Sequence, residues 1–176
     1  MTRLPATAAA AVVLLALFGC ATAAPAPTAA PVPSPTILVP SLVPQPLAGL
    51  TPDAAQTEGT RLGDTLQGLI DASTILHVDD QSALVAATPD KASFYAVYRV
   101  ISIDPTINPL DTAQLIANVL VQSGWAVADV SNQDGIYITA LATGSGNTAW
   151  FALIGGDSTV AGQSVVTFQL ASPDLS

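Results

Sequence analysis

The sequence predicts an α+β domain with two helices on one face of a mostly antiparallel sheet of about five strands. Three observations carry this. Two helical stretches open with a capping residue followed by proline, Thr51-Pro52 and Asn108-Pro109. The run from Phe94 to Ile103, FYAVYRVISI, is dense in aromatic and β-branched residues. From Trp125 to Leu170, apolar segments alternate with turns rich in glycine, asparagine and aspartate. Upstream stand an apolar run and a proline-rich stretch of different character. The chain therefore divides into a signal peptide over 1–19, a linker over 20–50 headed by Cys20, and a folded domain over 51–176.

Each element has its own warrant. Leu62, Leu66, Leu69 and Ile70 recur at helical spacing, which predicts a first helix over about 52–71, although Gly59, Gly63 and Gly68 lower its propensity. Residues 74–88 suggest one or two short strands around Asp79-Asp80-Gln81. Phe94–Ile103 is largely apolar on both faces, as a central strand would be, and Asp104-Pro105 ends it. The second helix begins at Pro109 and runs to about Ser123. Leu110, Ala113, Ala117 and Leu120 form its stripe, widened by Leu115, Ile116 and Val119. Gly124 suits the left-handed position after a helix, which would let Trp125 pack back on Leu120.

The remainder reads as a meander with strands near 125–130, 136–142, 148–154 and 163–170. Turns fall at 132–135, 144–147 and 155–162. Val166, Phe168 and Leu170 share a face, and Trp150 and Phe151 point to opposite sides. The tail after Ser172-Pro173 is expected to fray. The expected core comprises Val100, Leu115, Leu120, Trp125, Phe151, Phe168 and Leu170.

The formal charge is −9 over 176 residues. Beyond residue 20 only Arg61, Lys91 and Arg99 are basic against thirteen acidic residues, a net charge of −10. No basic patch is present to displace counterions from a phosphate backbone, so no nucleic-acid partner is expected. Anionic headgroups would repel such a surface, so attachment to a membrane would depend on an anchor. One cysteine allows no disulfide within the chain.

Arg3 and the amino terminus precede an apolar run, Ala6 to Phe18, interrupted only by Thr7. At about 13 residues it is shorter than the roughly 20 that a membrane span needs, and it has the pattern of a secretory signal. The run ends in Leu17-Phe18-Gly19-Cys20, which resembles the lipobox of bacterial lipoproteins. The resemblance implies cleavage before Cys20 by signal peptidase II and a diacylglyceryl group on its thiol. Phe18 is larger than lipoboxes usually carry at that place. Ala21-Thr22-Ala23 also fits the small-x-small pattern of ordinary secretion, which would discard Cys20 and release a soluble domain. The linker from 21 to about 50 holds Pro25, Pro27, Pro31, Pro33, Pro35, Pro40, Pro44 and Pro46. Prolines at this density favour a disordered, extended tether, and thirty residues would reach at most roughly 90 Å.

Beyond the signal, the strand, the Asp104-Pro105 stop, the helix closed by Gly124-Trp125 and the meander resemble small uncharacterised lipoproteins of high-GC Gram-positive bacteria (actinobacteria). The resemblance covers roughly 50–173 and brings no catalytic residues with it.

Chemistry is sparse. His77 is the only histidine, and His77-Val78-Asp79-Asp80 offers one imidazole and two nearby carboxylates. A zinc site needs three or four ligands, and turn chemistry explains both aspartates, so no metal or cofactor is expected. Gly144-Ser145-Gly146 lacks the full nucleophile-elbow pattern and lies between strands. Asp129 to Gly135 lacks calcium-loop spacing. Tyr95, Tyr98, Tyr137, Trp125 and Trp150 are expected to build core rather than a pocket. The reading is an envelope lipoprotein held outside the cytoplasm on the cell membrane through Cys20. Its domain is a non-catalytic binding or structural module for an envelope protein, wall component or small ligand. The alternative is an enzyme that uses aspartates, with His77 as its one candidate base. A cleft of converging acids would favour the enzyme; an exposed apolar patch would favour the module.

Overall fold

A computed structural model describes residues 41–45, 50–86, 88, 92–144 and 148–175, all within the unit Leu38–Ser176. The signal segment, Cys20, most of the linker, Lys91 and Ser145 lie outside the described residues.

Both helices begin where the caps predict. Helix α1 (Pro52–Gln67) starts at Thr51, whose Oγ1 accepts the Ala54 N–H at 3.3 Å. Helix α2 (Pro109–Gln122) starts at Asn108, whose Oδ1 accepts the Leu110 N–H at 3.0 Å. At its far end Gly124 takes φ +95. The Gly124 N–H reaches the Val121 carbonyl at 3.0 Å and the Trp125 N–H reaches that of Leu120 at 3.1 Å. This is the Schellman pairing, and Trp125 joins Leu120 in the core. Helix α1 stops earlier than the predicted residue 71. Gly68 ends it, and Asp71 caps a separate 3₁₀ turn over Ala72–Thr74.

The strands are β1 (Ile75–Asp80), β2 (Ala83–Val85), β3 (Phe94–Ile103), β4 (Ala126–Gln133), β5 (Ile136–Thr143), β6 (Trp150–Asp157) and β7 (Ser164–Ala171). They form one 7-stranded sheet in the order β1-β3-β7-β6-β5-β4, with β2 also on β3. Every strand pairing is antiparallel. The short strands β1 and β2 fall where residues 74–88 suggest one or two strands, and with them the sheet has seven strands where about five are expected. They share one edge of β3, β1 along Arg99–Ile103 and β2 along Phe94–Ala96. Between β4 and β5, Asp134 (φ 53) and Gly135 (φ 80) make a two-residue hairpin turn of the primed type.

Both helices cover the same face. Helix α1 lies over β3, and α2 lies over β5, β6 and β7. Leu62, Leu66, Ile116 and Leu120 meet Ile101, Ile154 and Phe168 there, all fully buried. Burial of each large side chain contributes about 1.5–3 kcal/mol. Close approach depends on glycine. A Cβ on Gly63 would lie 3.0 Å from Val97 Cγ1, and one on Gly156 would lie 2.8 Å from the Pro109 carbonyl carbon. Gly155 and Gly156 therefore belong to β6, under the start of α2, rather than to the predicted turn.

Three expected core residues are not core. Leu115 is 52 % exposed, because it sits about 200° round α2 from Ala113. Phe151 is 53 % exposed and Val100 only half-buried, because strand alternation turns both away from the helices. The tail does not fray before Leu175. Ser172 Oγ accepts the Tyr95 N–H at 2.9 Å, and the Leu175 N–H donates to the Ser93 carbonyl at 2.8 Å with the Leu175 side chain buried. Residues 41–45, predicted as linker, pack on the domain, with Leu42 only 2 % exposed.

Candidate functional site: the open face of the sheet

No helix covers the other face of the sheet among the described residues. Alternation assigns its residues. Ala96 stands opposite Ala171, Ala171 opposite Phe151, and Phe151 opposite Ala142. In the next row Tyr98, Gln169, Leu153 and Ala140 lie side by side. Small side chains between larger ones leave a concavity of about 300 Å³ whose rim includes Phe94, Tyr98, Phe151 and Leu153. No charged residue lines it, and Tyr98 and Gln169 are its two lining residues with polar side chains. Ile136 and Ile138, both partly exposed, continue the apolar surface along β5.

The acids do not converge on this face. Asp79 pairs with Val100 at one edge of the sheet, and Asp129 pairs with Ala140 on the opposite edge strand. Five interstrand steps separate those edges, roughly 24 Å, whereas glycosidase carboxylates stand about 5–9.5 Å apart. His77 is exposed on β1 opposite Ser102. That is four residues along β3 from Tyr98, about 13 Å. His77 and Asp79 share the open face, but Asp80 turns to the helix side. The His77–Asp80 cluster is thereby split. Among the described residues no three His, Cys, Asp or Glu side chains gather closely enough to hold a metal ion.

Most perturbed aspartates close turns. In Asp71, Asp104 and Asp157, hydrogen bonds from the backbone and hydroxyl of Ser73, Thr106 and Thr159 hold the carboxyl below its usual range. Burial pushes Asp80 up, but the Ser82 bonds and the Arg99 guanidinium outweigh it and the net direction is down. Groups shifted this way remain anionic at neutral pH. They are poorly suited to donating a proton as general acids.

Two arginine sites lie on the helix side, Arg99 buried and Arg61 partly exposed. The run Phe94–Ile103 reads as apolar, yet Arg99 occupies the helix-facing parity, with its side chain only 8 % exposed. It donates to Asp80 at 2.7 Å, Asp64 at 2.8 Å and Gln67 at 3.1 Å, and lies 6.0 Å from the Phe168 ring centre. Arg61 pairs with Glu58 at 2.6 Å and reaches the backbone of the segment 41–45. The signal in the sequence was the i, i+3 spacing of Glu58 and Arg61 on one helix face.

Of the aromatic residues, Tyr95, Tyr137, Trp125 and Trp150 are buried in the core, while Tyr98 borders the concavity. No described helix is long and apolar enough to cross a membrane. The chain matches no protein-family model, no curated protein and no solved structure.

Proposed function

We propose that the protein is a lipid-anchored component of the cell envelope, tethered through Cys20, whose domain is a non-catalytic binding module. Its open sheet face takes a small, uncharged, apolar ligand with an acyl chain. One observation carries the binding role: an apolar concavity of about 300 Å³ on an uncovered face, with no charged side chain in its wall. Exposed apolar patches of this kind mark interaction sites, and the volume lies at the lower end of small-ligand pockets. The net charge of −10 beyond residue 20 disfavours anionic ligands. The dispersed acids and the exposed position of His77 favour binding over catalysis. The anchor rests on Leu17-Phe18-Gly19-Cys20.

Two measurements test the proposal. Intact mass of the membrane-fraction protein should show an acylated chain beginning at Cys20; an unmodified chain starting at Ala24 in the medium would refute the anchor. Titration with a neutral monoacylglycerol should shift the amide resonances of Ala96, Leu153 and Gln169. Ala140→Phe, which fills the concavity, should abolish those shifts without altering the fold. Shifts confined to other residues would refute the binding face.

A further inference from the structure

The segment 41–45 is held in a way that differs from ordinary packing of a loop. Among the described residues, every side-chain hydrogen bond that the domain makes to it goes to the main chain. The Arg61 guanidinium donates to the carbonyls of Ser41 at 2.5 Å and Val43 at 3.3 Å. The Trp125 indole N–H donates to the Leu42 carbonyl at 2.9 Å. Glu58 Oε1 accepts the Gln45 N–H at 2.8 Å. One side chain is read: Leu42 enters the core beside the helices.

The gripping groups are built for the purpose. Glu58 is the only glutamate in the chain, and it is 5 % exposed. Its two oxygens receive Arg61 at 2.6 and 2.8 Å while one also takes the Gln45 amide. Withdrawing the Glu58 carboxylate from water is costly, and Arg61, 30 % exposed, offsets only part of that cost. Here the pair gains charge-assisted bonds to peptide groups, which are about twice as strong as neutral ones. Main-chain atoms are common to all peptides. A cleft that reads carbonyls, one amide and a single leucine has the recognition logic of a peptide-docking site.

We propose that the cleft formed by Glu58, Arg61 and Trp125 is a peptide-docking site, closed in cis by the chain's own residues 41–45. When that strap is released, the cleft accepts an extended, uncharged, leucine-bearing segment of another polypeptide. The partner must keep an N–H at the place of Gln45, so proline is excluded there. Competition sets the conditions. A segment joined by a short connection acts at an effective concentration of about millimolar, so a free peptide at micromolar levels cannot displace the intact strap. The site lies on the helix side of the sheet and is independent of the open face.

The test uses the full exported chain and a fluorescent peptide spanning residues 38–48, followed by anisotropy. Leu42→Ser and Gln45→Pro loosen the strap by different routes. The second removes only the amide that Glu58 accepts, leaving the core leucine in place. Either loosened chain should bind the peptide at least tenfold more tightly than the wild type. Adding Arg61→Ala should reverse the gain, and a peptide carrying serine in place of leucine should not bind. Equal binding by wild-type and loosened chains would overturn the proposal. So would absence of binding by a loosened chain whose circular dichroism matches the wild type.

Discussion

Phe151 and Phe168 are the same residue on adjacent strands, and they should behave oppositely. Phe168 is 0 % exposed beneath the helices, whereas Phe151 is 53 % exposed on the open face. Phe168→Ala removes a close-packed ring and should cost about 3–5 kcal/mol. Phe151 has about half its surface withdrawn, so the transfer loss should be about 1 kcal/mol, half the value for full burial. The lower strand propensity of alanine adds at most about 1 kcal/mol. Urea unfolding should therefore separate the variants by about 1–4 kcal/mol with unchanged slopes. The same Phe151→Ala protein should lose affinity for a neutral monoacylglycerol, because the ring borders the concavity. A cost for Phe151→Ala equal to that for Phe168→Ala would refute the reasoning. It would mean that the face is covered in solution, by another copy of the chain or by a bound partner.

Two further outcomes follow from particular contacts. Gly156→Ala should cost about 3 kcal/mol, the upper range for overpacking, because its Cβ meets the backbone of Pro109 and Leu110, which cannot rotate away. Gly124→Ala has open space around it and should cost only the left-handed strain of φ +95, about 1–2 kcal/mol. Urea unfolding compares the two, and a Gly156→Ala protein as stable as the wild type would show that α2 does not rest on β6. The strap should also be acid-sensitive. Burial pushes Glu58 up, but hydrogen bonds from Arg61 and the Gln45 amide, with the Arg61 charge, outweigh it and hold the carboxyl below its usual range. A depressed folded pKa means that the contribution is fully present above the unfolded value of about 4.3 and lost as pH falls through the folded one. The protection factor of the Gln45 amide against hydrogen exchange should fall as pH drops below the unfolded glutamate value of about 4.3, and Glu58→Gln should remove that dependence on pH. Protection that is unchanged across this range in the wild type would contradict it.

The helix starts and the α2 ending were legible because they are local. Thr51, Asn108, Gly124 and Trp125 act within a turn of their own positions, so residue type and spacing suffice. The Asp134-Gly135 hairpin and the meander were legible for the same reason. The face that each apolar strand residue would present was not. Trp150 and Phe151 must diverge, but nothing in the pair says which one meets the helices. That is why Phe151 and Val100 were expected in the core. The candidate binding face was consequently invisible, since it consists of apolar residues that look like core until the helices are seen to cover one side alone.

By itself the sequence determined the class of the domain, its caps and turns, its acidic charge, and the candidate anchor at Cys20. Those depend on composition and on neighbours a few residues apart. Only the tertiary structure decided that the acids stay apart and that Arg99 is buried against Asp64 and Asp80. It also decided that Glu58, Arg61 and Trp125 hold residues 41–45 by their backbone. Such contacts join positions far apart along the chain, as Trp125 and Leu42 are. No local pattern encodes them, because they arise only when β7 pairs with β3 and brings both helices onto one face.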